Sequence, residues 1–147
     1  MAPFRGTFDH TLDAKNRLTV PARYRATLAS GVVLAIPSDM RPCVGLWRVE
    51  DYDSHTTAAL ARYPALSGER SELQRFLFGN SQETELDAAG RVMIPGFLGE
   101  HASLSKEVFV VGAGDRLELW NRDAWREHQP TLRSNVVEST ERVDRAA

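Results

Sequence analysis

The chain has 147 residues, 42% of them hydrophobic and 26% charged, with a formal net charge of −2. That length suits one compact domain or two small modules sharing a core, and the composition excludes global disorder. No apolar run approaches bilayer-spanning length, and "MAPFRGTFDH" at the N-terminus lacks an apolar signal core, so a cytoplasmic chain with no membrane partner is expected.

In chain order, the first half predicts a strand, a tight turn at "LDAKNR", a strand at "RLTVP", a short helix over "ARYRATLA", a strand at "VVLAI", and, after a turn, a strand ending at Leu46 and Trp47. Asp13 heads the turn, where its carboxylate can accept from backbone N–H groups two or three residues on. Asn16 tolerates the left-handed backbone that such a turn needs. Alternation sends Leu18 and Val20 to one face, and Pro21 then ends the ladder and opens a helix. Cys43, the single cysteine, cannot form an intrachain disulfide and is expected to be a small buried or half-buried residue. From about 49 to 79 the pattern turns helical: "EDYDSHTTAALARY" first, then, past Pro64 and Gly68, a helix behind Ser71 with Leu73, Phe76 and Leu77 at i, i+3 and i+4.

The second half repeats the first. "LDAAGRVMIP" starts at Leu86, 74 residues after "LDAKNRLTVP" starts at Leu12, with five of the ten positions identical. A helix-like stretch ("GFLGEHAS") and an apolar strand ("VFVV") follow. Next, "VVGAGDRLELW" reads as a hairpin turning at Gly112 to Asp115, with Leu117 and Leu119 inward and Arg116 and Glu118 outward. The kept order of elements favours internal duplication. The tail from Pro130 is polar and is expected to be frayed or loosely helical. The expected divisions are a first module at 4–53, a helical connector at 54–79, a second module at 80–126 and a C-terminal tail at 127–147.

The copies diverge in charge. Residues 9–25 carry Lys15, Arg17, Arg23 and Arg25 against two aspartates, net +2, whereas residues 83–99 carry Arg91 against Glu83, Glu85 and Asp87, net −2. The surplus cations, with Arg5 nearby, suit a polyanion such as double-stranded DNA. Asp13 and Arg17, or Asp87 and Arg91, have an equally plain structural reading as ion pairs that hold the two turns.

Taken together, "FRGTFDHTLDAKNRLTVPARYR", the second "LDAAGRVMIP" and "LSKEVFVVGAGDRLELW" resemble the MraZ family of bacterial transcriptional regulators, from Phe4 to about Trp125. The resemblance implies an α+β, mainly β fold: two tandem AbrB/SpoVT-like modules interlocked in a pseudo-two-fold barrel, with helices between the modules and at the C-terminus. It also implies a nucleoid-associated DNA-binding protein that forms ring-shaped homo-oligomers and binds direct repeats in the promoter of the division and cell-wall gene cluster, including its own gene. Matched to the family's motif, Arg17, Lys15 and Arg25 are the expected DNA contacts, with Arg23 and Arg5 as weaker matches. Asn16 stands where the family usually has Gly, and Gly99 where the second module usually has a basic residue; the latter places DNA contact on the first module.

Two other classes compete. Ser103-Leu104-Ser105-Lys106 matches S-x-x-K formally, but its partner motifs S-D-N and K-T-G are absent, so no catalytic residue is expected. His10, His55, His101 and His128 are scattered without metal-ligand spacing, so neither metal nor cofactor is expected. The third class is an assembly module that binds only protein, whose association should hardly respond to salt.

Overall fold

The computed structural model describes residues 3–147; Met1 and Ala2, part of the N-terminal stretch read above, lie outside it. Among the described residues the first half forms β1 (Thr7–Thr11), β2 (Arg17–Thr19), a 3-10 helix (Ala22–Tyr24), β3 (Val32–Ala35) and β4 (Cys43–Arg48). Helices α1 (Val49–Leu60) and α2 (Gly68–Gly79) follow. The second half then forms β5 (Ser81–Thr84), β6 (Arg91–Met93), α3 (Gly96–His101), β7 (Glu107–Gly112) and β8 (Leu117–Asn121), and α4 (Arg122–Ala146) ends the chain.

All strand pairings are antiparallel: a six-stranded sheet has the order β1-β7-β8-β4-β3-β5, and β2 and β6 form a separate ribbon. Each half gives its first strand to the other. β1 pairs with β7 through Asp9 and Phe109, and β5 pairs with β3 through the matching Glu83 and Val33. At the centre Gly45 faces Glu118 across β4 and β8, and Leu18 faces Val92 across β2 and β6. Equivalent residues thus meet on a pseudo-two-fold axis, so the two modules interlock as expected. Neither half completes its sheet alone, and exchange satisfies strand edges that would otherwise stay open.

The sheet and ribbon enclose one main core, built from Leu18, Val20, Leu34, Leu46, Val92, Leu98, Leu117 and Leu119 among others. The inward alternation predicted for Leu18 and Val20 is observed, and Val92 and Ile94 repeat it. Cys43 is fully buried. The outer face of the sheet is covered by α1 and α4, which explains why every residue of β3 is buried.

Three expectations are corrected. Arg116 and Glu118 are not simply outward: Arg116 pairs with Asp115 and Glu118 and lies over Trp47, and Glu118 also accepts from the Trp120 indole at 3.1 Å. α2 is capped by Ser67, which accepts from Arg70 N, rather than by Ser71. The tail is a continuous helix, because Asn121 accepts from the N–H groups of Asp123 and Ala124 and nucleates it, while Trp125 and Leu132 pack against the sheet. Pro130 deprives that helix of one backbone donor without ending it. Two of the histidines are equivalents: Trp47, Tyr52 and His55 pack together at the start of α1, and Trp120, Trp125 and His128 do so at the start of α4 with the same spacing. The duplication therefore includes a helix after each fourth strand. α1 crosses the expected 53/54 division and α4 the 126/127 division.

Candidate nucleic-acid interface

The two turns are built alike. In the first, Asp13 Oδ1 accepts from the N–H groups of Lys15 and Arg17, each at 2.9 Å, and Oδ2 accepts from Arg17 Nε at 2.7 Å. In the second, Asp87 Oδ1 accepts from Ala89 and Arg91, each at 2.9 Å, and Oδ2 accepts from Arg91 Nε at 2.8 Å. Both carboxyls are held below the usual aspartate range, first by the backbone N–H of Arg17 or Arg91 and then by that residue's side chain. Asn16 and Gly90 occupy the left-handed position, at φ +56° and +77°. Each turn also ties to the other module: Ile94 N–H donates to Asn16 O at 2.9 Å, and Val20 N–H donates to Gly90 O at 3.0 Å.

On the ribbon, Leu18 and Val92 point into the core, which leaves Arg17, Thr19, Arg91 and Met93 on the opposite face. The turns lie at opposite ends of this ribbon, since β2 and β6 run antiparallel out of them.

The five predicted contacts fall into three places. Lys15 and Arg17 lie at the first turn. Arg5 and Arg23 flank Tyr24, whose hydroxyl donates to Arg5 O at 2.8 Å and accepts from Arg5 N–H at 2.9 Å, with the Arg23 guanidinium 5.8 Å from its ring centre. Arg25 reaches the other module: its Nε donates to Val20 O of its own module at 3.0 Å, and its side chain lies against Gly90 of the second. Among the described residues Arg5, Lys15, Arg23 and Arg25 have no acidic partner within ion-pair distance, whereas Arg17 pairs with Asp13 and Arg91 with Asp87. Both turns contain the Asp–Arg ion pair. Because each uses Nε, the terminal amino groups of Arg17 have no partner among the described residues. Tyr24 and Gly90 were not foreseen in these supporting positions, and nothing in local periodicity marks them. Ser103 and Lys106 lie in the loop between α3 and β7. No helix among the described residues is long and apolar enough to cross a membrane.

A strand-exchanged pair of tandem α+β modules, mainly β and each headed by an Asp-x-x-x-Arg turn, defines the class of this protein. The model of the family described as "MraZ protein, putative antitoxin-like" matches residues 3–62 and 77–146, and both segments include the helix after the fourth strand. The chain belongs to the MraZ family. It is similar to the transcriptional regulator MraZ of Azotobacter vinelandii, with 41% identity over 125 residues, 83% of this chain and 82% of that one. The Moorella thermoacetica protein of the same name is 37% identical over 85% of each chain, and that of Heliobacterium modesticaldum is 32% identical over 95% of this chain and 96% of its own.

Proposed function

We propose that the chain is a sequence-specific DNA-binding transcription regulator that reads DNA with its first module. One observation carries the reading: two turns share the same hydrogen bonds, but among the described residues the cations without acidic partners, Lys15, Arg23, Arg25 and Arg5, all belong to the first module, Arg25 reaching the second turn, whereas the matching segment of the second module supplies only the paired Arg91. A surface rich in uncommitted cations favours phosphate, and Arg17, with two amino groups still open, suits a guanine edge. The names of the relatives support a role in transcription. The targets follow from the family likeness: direct repeats in the promoter of the division and cell-wall gene cluster, including the chain's own gene. A ring-shaped homo-oligomer would present the first-module cations repeatedly to those repeats, in a cytoplasmic, nucleoid-associated protein.

A gel-shift titration with the chain's own upstream region, with and without random competitor DNA, tests this. Retention of the specific complex under excess competitor supports it. Equal loss to competitor and specific DNA removes sequence specificity, and no shift at low salt favours the protein-only assembly module.

A further inference from the structure

Arg25 is seated on the second module's turn. Gly90 O accepts from Val20 N–H, Val20 O accepts from Arg25 Nε, and the arginine stem lies across Gly90, where a Cβ would come within 2.6 Å of Arg25 Cδ and Nε. The equivalent place at the first turn is built differently. Ile94 N–H still donates to Asn16 O, but the residue matching Arg25 is Gly99, which has no side chain to cross there. A groove of about 360 Å³ lined by Asn16, Pro95 and Gly99 lies there, whereas the groove at the second turn, about 290 Å³, has Arg25 in its wall. A side chain is therefore accommodated at position 16, while position 90 has none where the arginine lies.

We propose that Gly90 and the second turn are a positioning site for Arg25, so that the two equivalent turns do different work: the first is left open, and the second supports an arginine supplied by the first module. With Nε fixed on Val20 O, the guanidinium presents its terminal amino groups with less side-chain freedom to lose on binding. The inference rests on the reading of Arg25 as a DNA contact.

Gly90→Asn is the informative variant. Asn accepts the left-handed backbone, as Asn16 does in the equivalent turn, yet its side chain takes the space of the arginine stem. Binding of the parent, Arg25→Ala, Gly90→Asn and the double variant to the upstream DNA is measured by fluorescence anisotropy across a salt series, with a melting curve for each. Arg25→Ala should weaken binding on the order of tenfold, as the loss of one charge-assisted hydrogen bond would. Gly90→Asn should weaken it similarly and flatten the salt dependence as Arg25→Ala does, and the double variant should be no weaker than Arg25→Ala alone. Loss of fold would leave the salt dependence of the folded fraction unchanged, so the slope separates positioning from stability. Arg25→Lys, in the intact turn, is the second variant: lysine keeps the charge, but its one nitrogen cannot stay on Val20 O and also reach as far as the terminal amino groups of the guanidinium, so it should lose most of what Arg25→Ala loses. Parent-like binding by Gly90→Asn or by Arg25→Lys, or losses that multiply in the double variant, overturns the positioning site alone. A parent that shows no salt-dependent DNA binding overturns the DNA reading itself.

Discussion

Leu18 pairs across the ribbon with Val92, its own counterpart in the second copy, and both side chains are almost wholly removed from solvent. The pair sits where the two modules share one core, so damage to it cannot be confined to one half. Leu18→Ala should cost about 2–5 kcal/mol, a large part of the roughly 5–15 kcal/mol available to a domain. Urea unfolding followed by tryptophan fluorescence and by far-UV circular dichroism should give one coincident transition at lower urea. Two separate transitions would show that the modules fold independently.

Acid should loosen both turns in the same way. Asp13 and Asp87 have carboxyl pKa values lowered in the folded state, so their stabilisation is present above the unfolded value of about 4 and is lost as pH falls through the folded values. Melting temperatures of the parent should therefore drop from about pH 5 downward. Asp13→Asn and Asp87→Asn should each be less stable at neutral pH and show a shallower acid decline. An Asp13→Asn variant with the parent's full acid dependence would mean that this carboxylate is not what titrates.

Arg17 and Arg91 share a local bond pattern and should differ in consequence. Arg17→Ala removes the proposed base contact, at about 1–3 kcal/mol per subunit, and multiplied over several subunits the specific complex should be lost. Arg91→Ala should lower the melting temperature or disturb assembly and leave the intrinsic preference for the operator intact. Competition binding with operator and random DNA reads both, and parent-like binding by the two variants would remove the first module as the reader.

Salt separates phosphate contacts from base contacts. If two subunits each place two or three of Lys15, Arg17, Arg23 and Arg25 on phosphates, log K should fall against log salt with a slope of roughly −4 to −5. Arg23→Ala should flatten the slope by about one unit per engaged subunit while weakening all sequences alike. A changed sequence preference with an unchanged slope would exchange the roles of Arg23 and Arg17.

One chain offers few phosphate contacts, and repeated presentation by a closed homo-oligomer would supply more. Light scattering at micromolar concentration should give a mass several times the 16.4 kDa of the chain. A stable monomer under those conditions would rule out the ring.

Sequence alone determined the features that depend on near neighbours. Asp13 and Asp87 announced their turns because an aspartate side chain reaches the N–H groups just ahead of it, and alternation sent Leu18, Val20, Val92 and Ile94 inward because strand side chains have a period of two. The charge difference between the copies was likewise written in the chain. The exchange of β1 and β5 between modules came from the family likeness, not from any period in the residues, since an apolar strand fits several antiparallel neighbours. Only the tertiary structure decided that pairing, by closing edges that each half leaves open. It also made the polar tail a helix, because Trp125 and Leu132 found a sheet to cover, and it split the five expected contacts among three places. Arg25 met Gly90, 65 residues away, because the interlock brings the second turn beside the first module's helix. Contacts at that separation are fixed by how the two copies close around their shared core, which no local pattern of residues encodes.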